Sequence, residues 1–438
     1  MKTKTKRIFS LFLIVLLSFS LMACSSESSG GGSGDSGGKT EIRFAWWGSA
    51  ERDKVYNQIL DLYEEQNPNV KIIREPSSWN DYWTKLSTQA AGGNLPDVFG
   101  LHLLLYGNEY FTKDVLEPLD QYVDNGTISL EGWDQSVIDA GTYNDQFYAL
   151  AKGVTLESLI YNKTKLEGLG IEVPTNGMTY EEFKDYALEI RAKLPEGEYV
   201  ISGDPTSIEH GVEMWARQKG GSFLTEDGKD LGFSKEDLAE YWTYWDNFRK
   251  EGVIPPGQVS TEQSNVTDES TLFATGKALF IERPTNQAKV FAKYVGGDEL
   301  GILRYPTMGG GEFKSGEQLQ VPAVVMSKVS KNKEEAAKLI NWFVNDLEAT
   351  KIYKAENGLP GTEPVRENLK SELAPLDVEA ISILETVGEE IPPTTIRPSG
   401  SVEVLSIYKR YAESIAFEKM SIEEAVDGFF DEAKKALK

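Results

Sequence analysis

EIRFAWWGSAERDKVYNQILDLYEEQNPNVKII, residues 41–73, is the stretch that decides the fold. Glu41–Trp47 alternates polar and apolar side chains before ending on two aromatics, the pattern of a half-buried strand. Gly48-Ser49 breaks it. Val55, Ile59 and Leu62 then share one helical face, and Glu51 lies in the first turn, where a carboxylate complements the positive end of the helix dipole. Asn67-Pro68 ends the helix, because proline has no N–H to give to the ladder. Val70–Ile73 reads as a second strand. Strand, helix and strand in so short a span form a crossover unit, which sets the two strands parallel. The chain is predicted to be an α/β protein.

Working outward, Trp79–Ala91 is predicted as a helix and Leu95–Phe99 as the entry to a third strand. Phe147–Leu150 and Val154–Tyr161 are apolar, β-rich runs. Tyr180–Leu194 is helical in pattern, and Ala336, Ile340, Phe343 and Leu347 mark a further amphipathic helix. Two more helices are expected near Leu405–Phe417 and Ile422–Leu437. No internal repeat is visible. From about Thr40 the body holds some 400 of the 438 residues, too many for one compact core, so two lobes are expected.

The N-terminus has a different character. Lys2, Lys4, Lys6 and Arg7 precede an apolar run from Ile8 to Phe19, and Leu21-Met22-Ala23-Cys24 follows. This is the layout of a secretory signal peptide over residues 1–23, too short to span a membrane comfortably. Cys24 is the single cysteine, so an internal disulfide cannot form and an acyl attachment is the expected use of its thiol. Residues 24–40 are dominated by serine and glycine and are expected to be a flexible tether reaching about 20 Å from a membrane. The formal charge is −24, and loss of the four basic leader residues makes it −28. Such a body repels nucleic acid and anionic surfaces, so no nucleic-acid partner is expected. No GxxxxGK[ST] or strand-following GxGxxG is present, and TEDGKD (225–230) lacks the distal glutamate of a calcium loop. Neither a cofactor nor a resident metal is expected.

Five blocks then resemble one family. They are AWWGSAERDKVYNQILDLYEEQNPNVKI (45–72), YWTKLSTQAAGGNLPDVF (82–99), YALAKGVTLESLIYNKTKLEGLGI (148–171), LFATGKALFIERPTNQ (272–287), and VPAVVMSKVSKNKEEAAKLINWF (321–343) continuing into NGLPGTEPVRENL (357–369). In order and in register they resemble the extracellular solute-binding proteins that include maltose-binding protein, and Leu21–Cys24 resembles the bacterial lipobox. The resemblance implies a two-lobed periplasmic-binding-protein-like fold of type II, with crossing strands joining the lobes and a ligand cleft between them. It places lobe one at 41–152 plus 306–357 and lobe two at 156–303 plus 360–438, with the first crossing near Lys152–Thr155. It also implies lipid, palmitate included, on Cys24, and a membrane permease as partner of a monomeric binding protein.

Sugars offer apolar C–H faces and a rim of hydroxyls, so a sugar site stacks aromatic rings and forks hydrogen bonds. Trp46 and Trp47 end the first strand, and neighbouring strand residues point to opposite faces, so at most one should face a cleft directly. Arg52 on the next turn can donate to hydroxyls. Trp79 and Trp83 share a helical face, and Trp79, at the helix start, is the better ligand candidate. The resemblance adds His102 past the third strand, where the family often has Asp or Trp, and Thr155, where maltose-binding protein has a glutamate. Glu157 lies on the same strand face and needs a partner or a wet cleft. His210 and Glu213 match aromatic positions of the family, so ring stacking there falls to Trp215. Arg283, Asn286 and Gln287 end the fourth block, and Arg397 with Ser399 lies before the penultimate helix in another cleft-lining segment.

The function expected is capture of a mono- or oligosaccharide by hinge closure and delivery to an ABC permease, without chemistry on the ligand. The same fold could hold ferric iron or a polyamine instead. A secreted glycosidase is the third reading, since paired carboxylates could act as acid and base; among 69 acidic residues such pairs carry no signal.

Overall fold

The computed structural model describes residues 38–309, 316–388, 398 and 400–437, apart from Glu226 and from the side chains of Asn80, Glu209, His210 and Glu385. Residues 1–37, which hold the expected leader and Cys24, lie outside the described residues, as do Arg397 and the His210 side chain. Among the described residues no helix is long and apolar enough to cross a membrane.

Nine strands build two sheets. They are β1 (Thr40–Trp47), β2 (Val70–Ser77), β3 (Val98–His102), β4 (Ala149–Ala151), β5 (Glu157–Asn162), β6 (Tyr199–Ile201), β7 (Ala278–Pro284), β8 (Leu300–Leu303) and β9 (Pro322–Met326). The first sheet runs β2-β1-β3-β9-β4 and the second β8-β5-β7-β6. β1 pairs in parallel with β2, from Thr40 opposite Val70 to Trp47 opposite Ser77, and in parallel with β3. In the second sheet β6 and β7 are parallel. The intervening helix Ala50–Gln66 is capped by Ser49. Fold class is therefore α/β with two main sheets, each with its own helices, besides a two-stranded ribbon of residues 142–143 and 146–147.

Each sheet buries a separate aromatic core. Phe44, Trp46, Tyr56 and Phe343 pack in the first. Phe183, Tyr241, Trp242, Trp245, Tyr408 and Phe429 pack in the second. Thr179 with Glu182 and Ser421 with Glu424 form capping boxes at two helix starts.

Two elements differ from the sequence reading. The third strand begins at Val98 instead of Leu95. Pro96 cannot donate to a ladder, and the Asp97 carboxylate is used to hold neighbours, accepting from the Arg43 N–H at 2.9 Å and the Ser330 hydroxyl at 2.5 Å. The helix through Leu347 is two helices, Lys333–Asn345 and Leu347–Tyr353. Asp346 breaks it by turning extended and capping the N–H groups of Glu348 and Ala349, each at 2.9 Å.

Three segments cross between the sheets and bond to one another. Val154 and Leu359 exchange two backbone hydrogen bonds of 2.7 Å, and Thr155 and Gln320 exchange bonds of 3.1 and 2.8 Å. The crossings run so close that a Cβ on Gly358, at φ +105°, would lie 2.3 Å from the Val154 carbonyl oxygen. Only glycine fits there.

Candidate functional site

The carboxyl ends of β1 and β3 present a wall of rings. Trp46 and Trp47 diverge, as strand geometry requires. Trp46 is fully buried, stacked on Tyr56 at 5.0 Å and donating through Nε1 to Asp53 at 2.9 Å. It belongs to the core, and its position does not match the expectation of a cleft contact. Trp47 points the other way, against Trp79, Tyr82 and Trp83 at 5.3–5.5 Å. Trp83 lies flat on Tyr106, with centroids 3.7 Å apart. Trp79 meets His102 and Tyr106 edge-on at 5.9 and 6.2 Å and keeps 38% of its surface exposed. Trp79 is thus the exposed ring of this wall, buttressed by four others, Trp47, Trp83, His102 and Tyr106. Ser78 caps its helix and fixes where that ring stands.

Behind Trp47 lies a buried lysine. The Lys152 Nζ sits 4.3 Å from the Trp47 ring centroid and donates to the Tyr56 hydroxyl at 3.0 Å. Burial pushes its pKa well below the ordinary lysine value, and the nearby Arg52 charge acts in the same direction. Tyr56 passes the contact on, donating to Asn357 Oδ1 at 2.9 Å, which also accepts from Tyr353 at 2.5 Å.

Arg52 is committed to this network. Its Nε donates to the Glu356 carboxylate at 3.0 Å, Nη1 to the Trp47 carbonyl at 3.2 Å, and Nη2 to the Glu356 carbonyl at 3.4 Å. Burial opposes the Arg52 charge most strongly, but Glu356, Tyr56 and Tyr353 together outweigh it and the pKa rises. Gly48 leaves room for this, since a Cβ there would meet the Arg52 side chain at 2.6 Å. Thr155 and Asn286 are buried at the crossings, with the Thr155 hydroxyl 2.7 Å from that of Thr285. Glu157 accepts from Gln320 Nε2 at 2.6 Å.

The second-sheet residues divide similarly. Trp215 is buried among Tyr180, Tyr241 and Tyr244, with Lys219 over its ring at 5.7 Å, so its aromatic face is already covered. Arg283 is partly exposed, 3.5 Å from Asp268 and stacked over Phe291 at 5.6 Å. Gln287 closes a half-buried turn after Asn286.

Two cavities lie at the ends of these strands. The larger, 380 Å³, opens where β6 stops at Ile201 while β7 runs on to Pro284. Ser202, Asp204, Glu282, Arg283, Lys409 and Phe417 are among its walls. It falls in the size range of small-molecule sites, about 300–1,000 Å³. It sits beyond the carboxyl ends of a parallel pair, where open α/β sheets bind ligands. The smaller, 20 Å³, is lined by Leu104, Glu157, Glu213, Met214, Gln320 and the 316–318 segment. The chain packs tightly here: a Cβ on Gly316 would be 2.2 Å from the Met214 carbonyl oxygen.

The sequence reading missed Tyr106, Glu356, Lys409 and Phe417. Tyr106 stands one helical turn beyond His102, which was a legible spacing. Glu356 had no local signal, because its partner Arg52 is 304 residues away.

A family model for the bacterial extracellular solute-binding proteins matches residues 58–375. The chain belongs to that family. A binding protein of Brucella abortus is 26% identical over 323 residues, covering 71% of this solute-binding protein and 74% of the relative. The multiple sugar-binding protein of Streptococcus mutans is 22% identical over 387 residues, covering 85% and 86%. An ABC substrate-binding protein of Listeria monocytogenes, solved in complex with cycloalternan, superposes with a TM-score of 0.76 at 22% identity and covers 91% of this chain and 98% of its own. At that identity the superposition shows a shared fold, that of the two-lobed solute-binding proteins.

Proposed function

We propose that this solute-binding protein captures a carbohydrate, a mono- or oligosaccharide, and delivers it to the permease of an ABC importer. The observation that supports it most is the exposed, ring-buttressed Trp79 at the strand ends of the first sheet; a 380 Å³ cavity with hydroxyl, carboxylate and guanidinium groups in its walls lies separately at the strand ends of the second. A ring face suits the C–H side of a sugar, and hydroxyl, carboxylate and guanidinium groups suit its rim. The names of the streptococcal and listerial relatives point the same way. Lobe one, 41–152 plus 306–357, and lobe two, 156–303 plus 360–438, close by bending the three crossings, and the ligand leaves unaltered. A leader over residues 1–23 exports the chain and is removed, and lipid on Cys24 with the tether to residue 40 holds the monomer on the outer face of the membrane.

Native mass spectrometry of the protein with an oligosaccharide mixture tests this. The expected result is one intact glycan bound per chain, recovered at its starting mass. Turnover of the glycan would make it an enzyme, and absence of any glycan adduct would contradict the reading.

A further inference from the structure

Asn286 and Thr285 stand between the first and third crossings, and their hydrogen bonds are already used there. Asn286 is 8% exposed and Thr285 3%. Asn286 Nδ2 donates to the Glu356 carbonyl at 3.1 Å, and Asn286 Oδ1 lies 3.5 Å from the Thr155 hydroxyl. Thr155 and Thr285 share a hydrogen bond of 2.7 Å. The Thr285 N–H donates to the Leu156 carbonyl at 2.8 Å, next to β5. A 10 Å³ void beside them, lined by Gly358 and Asp377, has room for about one water and no sugar.

Asn286 and its partner Glu356 belong to different bodies, and Thr285 is linked to Asn286 through the Thr155 hydroxyl. Glu356 is fixed to the first lobe by two Arg52 hydrogen bonds, and its neighbour Asn357 by Tyr56. Asn286 and Thr285 follow directly on β7 of the second sheet. The bond from Asn286 to the Glu356 carbonyl therefore joins a second-lobe side chain to a first-lobe-anchored backbone. Rotation of the lobes about the crossings has to move one against the other.

We propose that Thr285 and Asn286 form a latch that stabilises the approach of the lobes in the absence of ligand, and that they are positioning residues with no ligand contact. This rests on the two-lobed fold and holds whichever solute the cleft takes.

The distance measurement needs no ligand, and a glycan-binding assay of the same variants accompanies it. Ser87 and Lys184 are exposed, one on a helix of each lobe. Spin labels at S87C and K184C, in a chain whose single Cys24 is replaced, report the inter-lobe distance distribution by pulsed electron resonance. N286A and T285V should each raise the ratio of long to short distances by about three- to tenfold, the effect of losing one hydrogen bond. T285V keeps the side-chain shape, so it carries the test if N286A does not fold. Unchanged distributions in both variants, or a wild-type protein that shows only the long distance, would overturn the latch. Loss of glycan binding by N286A with distances unchanged would make Asn286 a ligand contact and overturn it too. A protein that binds no glycan yet shifts as expected would keep the latch and remove only the carbohydrate reading.

Discussion

Replacing Arg52 by alanine should be among the most damaging single changes at the crossings. Three hydrogen bonds are lost, at 3.0, 3.2 and 3.4 Å, and Glu356 keeps its charge with its side chain only 20% exposed. A hydrogen bond to a charged group contributes about 1.5–3 kcal/mol, and the two longer ones less. Breaking a fully buried pair costs about 3–5 kcal/mol, and partial exposure of Glu356 brings the expectation to about 2–4 kcal/mol. Urea unfolding of wild type, R52A, E356Q and the double variant measures it. E356Q should cost less than R52A, because Arg52 also holds the Trp47 and Glu356 carbonyls. The cycle should give a coupling of about 1–2 kcal/mol. An R52A cost under about 0.5 kcal/mol, the range of ordinary surface changes, would refute the assignment of Arg52 to the network.

Gly358→Ala should cost about 2 kcal/mol or more by denaturant unfolding, because φ is +105° and the new Cβ would press on the Val154 carbonyl oxygen. Lys152→Met should flatten the alkaline pH dependence of stability. The Lys152 pKa is lowered on folding, so between that value and the ordinary lysine value of 10.5 the unfolded chain holds a proton the folded one lacks, and stability rises with pH through that window. Acid–base series of urea midpoints for both proteins check the difference. Trp79→Ala should cost about 1–2 kcal/mol of stability from its edge contacts while weakening glycan affinity at least about tenfold, read by titration calorimetry.

Much of the fold was legible in local pattern. Residues 41–73 dictated a parallel pair because Gly48-Ser49 and Asn67-Pro68 punctuate the strand and helix so clearly. Boundaries were less so: Asp97 and Asp346 end or delay elements through side-chain bonds to groups that sequence spacing does not reveal. The candidate site was legible in residue type and only partly in role. Trp79 stands open and Trp46 and Trp215 do not, because burial depends on which distant rings cover each face. Arg52 and Asn286 read equally well as hydroxyl donors until Glu356 is seen between them. Nothing at Glu356 itself marks it as the common partner of both.

Thermal shift of the purified protein against a panel of mono- and oligosaccharides, with ferric citrate and spermidine alongside, tests carbohydrate capture most directly. A ligand that binds the folded state alone stabilises it by RT ln(1 + [L]/Kd), about 2.7 kcal/mol at a hundredfold excess over Kd. The account predicts a saturable upward shift with at least one glycan, reduced in W79A. A shift with ferric citrate or spermidine and with no sugar would contradict it.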